Sequence, residues 1–267
     1  MNRSVFVVLL ALGSLGILIA FFRARSRAVF EQDGLVAPGR RTAAVFLLAV
    51  VLLLTVAIPF AGGLAGGQPD ARNLSVVSLF AVHAILITFL VCYYLLSGHR
   101  SPAEFLKLTS PKPVSDLVAG VLIGSLGWLL AVLAAAVGIA LWLAVKARTT
   151  GLAAPSSVSP MILWILAQPL WVRIAIVVSA MVVEELFFRS FLQTRVGPLA
   201  ATLMFTAAHG VYGQPLLLIG ILVISAVMSV TFALYRNVLP CVVAHGTFDA
   251  IQMFVVIPLV VRPLAGG

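Results

Sequence analysis

Residues 170–195 read LWVRIAIVVSAMVVEELFFRSFLQTR and decide the fold. The stretch is long enough for one transmembrane helix, which needs about 20 mostly apolar residues. It nevertheless holds two adjacent carboxylates, Glu184 and Glu185, and a cation, Arg189, inside the apolar run. Each charge at a helix centre costs about 2.5–3.5 kcal/mol on insertion scales. A membrane helix that keeps such residues therefore indicates a functional site inside the bilayer.

The whole chain has the composition of a membrane protein. Its 267 residues are 62% hydrophobic and 9% charged, and its mean hydropathy is +1.18. A soluble domain carries about 25% charged residues, so a soluble enzyme, a disordered tail protein and a nucleic-acid-binding domain are excluded. The net charge of +9 comes from basic residues that lie mostly between apolar runs, which is how membrane topology is encoded. The expected partner is the lipid bilayer, not nucleic acid.

Apolar segments of spanning length predict an all-α fold, a polytopic membrane helical bundle of about eight transmembrane helices. They lie at 4–22, 42–62, 74–97, 115–145, 170–195, 198–213, 215–235 and 238–261. Basic residues concentrate in the loops of one side. The positive-inside rule then places the Arg-rich loop 23–41 in the cytoplasm and both termini outside. We expect a multi-pass protein of a bacterial cytoplasmic membrane.

Three late spans carry ionisable side chains at helical spacing. Glu185 and Arg189 are four residues apart and can pair on one helix face. Glu184 is rotated about 100° from them, has no cation near it in sequence, and suits a general acid or base. The sixth span carries Phe205-x-x-x-His209.

The last span carries His245-x-x-x-Asp249, so its carboxylate can orient its imidazole. At 1.5 Å per residue, Glu184, His209 and His245 lie roughly 16, 16 and 13 Å below the predicted cytoplasmic face. The three helices are therefore expected to bring these groups to one plane in the cytoplasmic half of the bilayer.

Glu-Glu-x-x-x-Arg, Phe-x-x-x-His and His-x-x-x-Asp, in this order, resemble the CPBP family. That family contains the CAAX prenyl endopeptidases and the bacteriocin-processing or immunity (Abi) proteins. The matching motifs occupy 184–249, whereas 1–160 is similar only in being hydrophobic. The resemblance divides the chain into N-terminal transmembrane helices at 1–160 and catalytic-core helices at 161–267, within one membrane domain.

The resemblance implies an intramembrane endopeptidase that hydrolyses a hydrophobic peptide near the cytoplasmic face, including lipid-modified, CAAX-like peptides. Glu184 and His209 would activate a water molecule, and His245 and Asp249 would form the oxyanion site. The supporting residues would be Glu185, Arg189 and Phe205.

Two chemical points stay open in the sequence. An ionised Asp249 cannot donate a hydrogen bond to an oxyanion, so it is either protonated or it orients His245 as in a catalytic triad; we favour the second. The resemblance implies a metal-free mechanism and no firm cofactor. Zn²⁺ stays open because Glu184, His209 and His245 are all ligand types for it, although no His-Glu-x-x-His motif is present.

Two other functions are compatible with these residues. The scaffold can serve a non-catalytic binding or bacteriocin-immunity protein, or, less favoured, a proton-coupled transporter, since buried Glu–His chains also relay protons. The two remaining histidines are interpreted without a catalytic role. His83 is expected to be a hydrogen-bonded packing residue inside a span, and His99 a solvated loop residue.

Overall fold

The structure is a computed structural model that describes residues 29–65, 74–146 and 159–259, together with Gly13 and Gly16. The predicted first span at 4–22 lies outside these residues, apart from the two glycines. Within the described part every regular element is helical and no strand occurs. The predicted all-α class is therefore confirmed.

The α-helices are numbered in chain order. They are α1 (Pro38–Leu52), α2 (Ile58–Leu64), α3 (Val76–Leu96), α4 (Pro102–Phe105), α5 (Pro113–Lys146), α6 (Pro160–Leu166), α7 (Leu170–Glu185), α8 (Thr194–Val196), α9 (Pro198–Ala208), α10 (Pro215–Tyr235) and α11 (Leu239–Ala250). Three π-helical segments continue these helices at Leu53–Ala57, Leu186–Gln193 and Ile251–Val256, and a 3₁₀ turn follows α9 at His209–Tyr212.

The membrane bundle is confirmed, but the count of eight spans is not. Five helices of the described chain are long and apolar enough to cross a membrane: Pro38–Leu64, Val76–Leu96, Pro113–Val145, Leu216–Tyr235 and Leu239–Leu259. The predicted spans at 170–195 and 198–213 are helical too, yet neither is one long α-helix. The first changes to π geometry just after its two glutamates, and the second has only 11 α-helical residues.

Aromatic contacts show that α3 and α7 run in the same direction. The ring centroids of Phe89 and Phe187 are 5.6 Å apart, and those of Tyr93 and Phe191 are 4.7 Å apart. These rings belong to one buried cluster that joins the two predicted halves of the chain. The helices that carry the site are thus held in register by a rigid aromatic core.

The chain reverses direction between α8 and α9 at Gly197. Its φ of 88° lies in the left-handed region, which glycine adopts without a Cβ clash. Because of this turn, α9 runs back beside the π-helical segment, and Phe205 packs edge-on against Phe188 at 5.0 Å. His209, four residues later, is thereby carried to the level of Glu184.

Helix α5 packs closely against α11, the helix of His245. A Cβ placed on Gly124 would overlap the backbone carbonyl of Ala244 and the side chain of Thr247. Glycine at this position therefore lets the two backbones approach each other, as small residues do at membrane helix interfaces.

An ion-pair cluster closes the end of the bundle at which α7 leads into α8. The guanidinium of Arg195 donates two hydrogen bonds of 2.8 Å to Asp33, and the Tyr93 hydroxyl donates one of 2.6 Å. Burial opposes ionisation of Asp33, but the charge and hydrogen bonds of Arg195, with those of Tyr93 and His99, hold its pKa below the ordinary value. This carboxylate therefore ties the segment before α1 to α8, at the end of the helix that begins with α7.

His99 lies in a loop, as expected, but its side chain is only 23% exposed. Its Nε2 lies 3.2 Å from Asp33 Oδ1, and its ring lies 5.0 Å from that of Phe105. The loop after α3 folds back over Asp33, because the Gly98 amide donates to the Asp33 carbonyl at 2.8 Å. The imidazole is therefore partly exposed and also contacts the ion-pair cluster.

Candidate active site

The two adjacent glutamates at the end of α7 face different surroundings. Glu185 is fully buried, with no exposed side-chain surface, whereas the side chain of Glu184 is 15% exposed and lines a cavity. Successive residues of an α-helix point about 100° apart, so one carboxylate enters the packed core while its neighbour faces the cavity. The structure thus separates two residues that look equivalent in the sequence.

Glu185 belongs to a buried polar network. Its Oε2 accepts a hydrogen bond of 3.1 Å from Arg189 Nε, and the other guanidinium nitrogens donate to Ser229 at 2.8 Å and Ser225 at 3.1 Å. The guanidinium also lies 5.1 Å from the centroid of the Phe205 ring. The predicted Glu185–Arg189 pair is present, and two serines of α10, which the sequence reasoning missed, complete the coordination of its cation.

His245 lies between two carboxylates. Its Nδ1 is 2.9 Å from Glu185 Oε1, and its Nε2 is 3.3 Å from Asp249 Oδ2. Both ring nitrogens donate in the imidazolium form, so this arrangement suits a charged ring. Asp249 was expected to orient His245, but Glu185 makes the shorter contact and shares that task.

Glu184 and His209 approach each other across a gap. Glu184 Oε2 lies 3.8 Å from His209 Nε2. The other nitrogen, Nδ1, donates a 2.8 Å hydrogen bond to the Phe205 carbonyl. In the neutral ring this leaves Nε2 as an acceptor that faces Glu184. At 3.8 Å the two atoms face each other without a direct hydrogen bond.

Phe205 connects the two histidines. Its ring centroid is 4.6 Å from that of His209 and 5.9 Å from that of His245. On the other side of His209, the Tyr212 ring is stacked at 6.0 Å. Aromatic rings therefore restrict both imidazoles and surround them with a low-dielectric environment.

His83 of α3 also enters the site, although the sequence indicated a packing role. Its Nε2 lies 3.3 Å from Glu184 Oε1. The three motifs do not predict this contact, since His83 is 101 positions from Glu184 and belongs to none of them. A histidine inside an otherwise apolar span was the one available hint.

The cavity at Glu184 has a volume of about 710 Å³ and an apolar lining with a few polar groups at one end. The carboxylate and imidazole groups there are His83, Glu184, His209, His245 and Asp249, and the lining also includes the polar residues Thr55, Ser78, Tyr212 and Gln252. From there the cavity extends away from the Asp33–Arg195 cluster, to Leu74 before α3, Met161 of α6 and Leu217 of α10. Phe188 and Phe205 line the cavity beside these polar groups, since the Phe205 ring lies 4.6 Å from that of His209. This shape suits an extended apolar ligand with one polar segment at Glu184.

The candidate metal ligands do not converge as a metal site requires. Within residues 29–65, 74–146 and 159–259, no group of three or more His, Cys, Asp and Glu side chains is placed to hold a metal ion. His245 instead directs its nitrogens to Glu185 and Asp249. Glu184, His209 and His245 therefore do not fit a shared Zn²⁺, and no step below is assigned to a metal.

Residues 166–251 match the family model described as type II CAAX prenyl endopeptidase, Rce1-like. The matched model belongs to the CPBP family. The match covers about a third of the chain and includes Glu184, His209, His245 and Asp249. No curated protein and no solved structure matches the chain.

The CPBP match confirms the resemblance inferred from the three motifs. It supports an intramembrane endopeptidase in general terms, in a multi-pass membrane protein. The matched segment contains the ionisable side chains that α7, α9 and α11 bring together. His83 lies outside it, so the site also draws on a helix that the family model does not cover.

Proposed function

We propose that the protein is an intramembrane endopeptidase that hydrolyses a peptide bond with a water molecule activated by Glu184 and His209. One observation carries the proposal: Glu184 Oε2 and His209 Nε2 face each other at 3.8 Å in an apolar cavity. A carboxylate beside an imidazole, screened from bulk water, is suited to general-base catalysis.

In the proposed reaction, a water molecule donates one hydrogen bond to Glu184 Oε2 and one to His209 Nε2. Glu184 takes one proton as the water oxygen attacks the scissile carbonyl carbon, so a C–O bond forms and the carbonyl oxygen becomes an oxyanion. The tetrahedral intermediate then breaks its C–N bond. The leaving nitrogen receives the proton from Glu184, which restores the carboxylate.

His245 is proposed as the donor to the oxyanion. Glu185 holds Nδ1, so the Nε2 proton of the imidazolium is directed toward Asp249 and the cavity. The two flanking carboxylates offset the ring charge, and a preorganised donor is the usual source of oxyanion stabilisation. Glu185, on Nδ1, is the residue that orients this donor. Asp249 accepts from the donor nitrogen Nε2 itself at 3.3 Å, so the oxyanion would take over this proton from Asp249 as it forms.

The substrate is proposed to be a hydrophobic peptide, including a lipid-modified one of the CAAX type. The apolar walls of the cavity suit a side chain or lipid group near the scissile bond. The predicted orientation places Glu184 in the cytoplasmic half of the bilayer. The cavity reaches Glu184 from the bundle end opposite Asp33 and Arg195.

The test is cleavage of a peptide library, prenylated and unmodified, by purified protein in detergent. We expect Glu184→Gln and His209→Ala to lower kcat at least ~10²-fold, in the range of a lost general base. Glu104→Gln, at an exposed carboxylate of α4, is the matched control and should keep full activity. Equal cleavage by wild type and Glu184→Gln would refute the proposal. Peptide binding without cleavage would favour the binding-protein alternative.

A further inference from the structure

The contact between His83 and Glu184 is more specific than a packing role requires. His83 is buried, and its one described polar contact is Nε2 to Glu184 Oε1 at 3.3 Å. Its Nδ1 has no hydrogen-bond partner among the described residues. A carboxylate only accepts hydrogen bonds, so Nε2–H is the donor. The hydrogen bond to the proposed base is therefore the polar interaction that this imidazole makes in the described structure.

His83 is mounted on a rigid part of the bundle. The Phe80 ring meets the His83 ring edge-on at 6.4 Å. Farther along α3, Phe89 packs against Phe187 and Phe191 of the π-helical segment at 5.6 and 5.0 Å. The same aromatic core therefore fixes α3 relative to the end of α7. A donor held in this way can restrict the rotamer of Glu184.

The bond divides the two oxygens of Glu184 between different neighbours. Oε1 is bound by His83, whereas Oε2 is buried without a hydrogen-bond partner in the described part of the chain and faces His209 at 3.8 Å. An unpartnered buried oxygen in a native site indicates a catalytic role or an unseen ligand.

We infer that His83 is a positioning residue, which binds Glu184 Oε1 so that Oε2 is the oxygen that removes the proton from water. The inference rests on the proposed endopeptidase function and adds a residue from the N-terminal helices to it. The His83 bond to Oε1 explains why the other oxygen of Glu184, Oε2, faces His209 without a hydrogen-bond partner among the described residues. Without the donor, both oxygens would compete for the water, and the side chain could rotate out of line.

Two isosteric substitutions separate positioning from packing. Gln places its amide nitrogen near the position of His Nε2, whereas Asn places it near Nδ1. His83→Gln can therefore still donate to Glu184, and His83→Asn cannot reach it. His83→Leu removes the donor and keeps an apolar side chain, and Leu79→Ala alters another cavity-lining residue of the same helix.

We expect His83→Leu and His83→Asn to lower kcat ~10- to 100-fold with little change in KM, because a misplaced catalytic group affects the chemical step. His83→Gln should recover to within ~3-fold of wild type. Leu79→Ala should change KM more than kcat. Thermal unfolding of every variant serves as the measure of folding.

The outcomes distinguish this inference from the function on which it rests. Wild-type kcat in folded His83→Leu, alongside an inactive Glu184→Gln, would overturn the role of His83 and leave the endopeptidase in place. Equal losses in the Gln and Asn variants, with equal falls in unfolding temperature, would assign His83 to packing and also overturn it. Absence of cleavage by wild type would overturn the proposed function, and the positioning role with it.

Discussion

Removal of the Arg189 guanidinium should destabilise the protein through the carboxylate that it leaves behind. Arg189 and Glu185 have no exposed side-chain surface. In Arg189→Leu, the Oε2 atom of Glu185 loses its partner in a site that water cannot reach. Ser225 and Ser229 retain contacts to Thr202 at 3.4 and 2.7 Å. The loss of stability therefore comes mainly from the unpaired buried charge of Glu185.

The magnitude follows from breaking one side of a buried ion pair, which costs about 3–5 kcal/mol. At about 2–4 °C per kcal/mol for a chain of this size, the unfolding temperature should fall by about 6–20 °C. A second change, Glu185→Gln, removes the orphaned charge and keeps an acceptor for His245. The double variant Glu185→Gln/Arg189→Leu should therefore be more stable than Arg189→Leu alone.

The chain provides its own probe for this measurement. Cys241 is fully buried, whereas Cys92 is partly exposed, so in a Cys92→Ala background a thiol-reactive dye reports the exposure of Cys241 as the protein unfolds in detergent. Arg40→Leu is the matched control, because Arg40 is exposed in the first turn of α1. Two results would refute the reasoning: a loss below about 1 kcal/mol in Arg189→Leu, or a double variant whose loss equals the sum of the two single losses.

Three further predictions concern pH, packing and topology. Because the pKa of Asp33 is lowered on folding, its stabilisation is complete above about pH 4 and is lost as the pH falls below that value; the unfolding temperature of Asp33→Asn should depend less on pH between 3 and 5. Gly124→Ala should lower stability by about 1–3 kcal/mol, since the new Cβ meets the α11 backbone, whereas Gly220→Ala, with its nearest contact at 3.8 Å, should not. In a background without native cysteines, Glu104→Cys should react with an impermeant maleimide only after cell lysis, and labelling of intact cells would reverse the predicted orientation.

The sequence was sufficient for the class of fold and for the groups of the three motifs, but not for His83, Ser225 and Ser229. Apolar runs of spanning length predicted the helical membrane bundle, and spacing of four predicted the Glu185–Arg189 pair that the structure contains. Helix rise placed Glu184 and His209 at one depth, and their side chains face each other. These features depend on local periodicity, which a sequence records directly.

Features that depend on contacts between distant helices could not be predicted. In the sequence, Ser225 and Ser229 are ordinary small residues of α10. Only the structure shows that their hydroxyls accept hydrogen bonds from Arg189. The π-helical segment after Glu185 also has no clear sequence signal, although it determines which way Arg189 points. The number of spans was uncertain for the same reason, since buried helices need not be long or wholly apolar.

The adjacent pair Glu184–Glu185 makes chemical sense once each carboxylate is considered with its own partners. Glu185 accepts from Arg189 through Oε2 and contacts His245 through Oε1, so the residue that pairs with the buried cation also orients the proposed oxyanion donor. Glu184 receives one donor from His83 and keeps one oxygen free toward His209. A single helix turn can thus supply both halves of a hydrolytic site, because rotation by about 100° per residue sends neighbouring carboxylates to different helices. Arg189, which neutralises Glu185, is then what allows two acidic residues to stand side by side within the bundle.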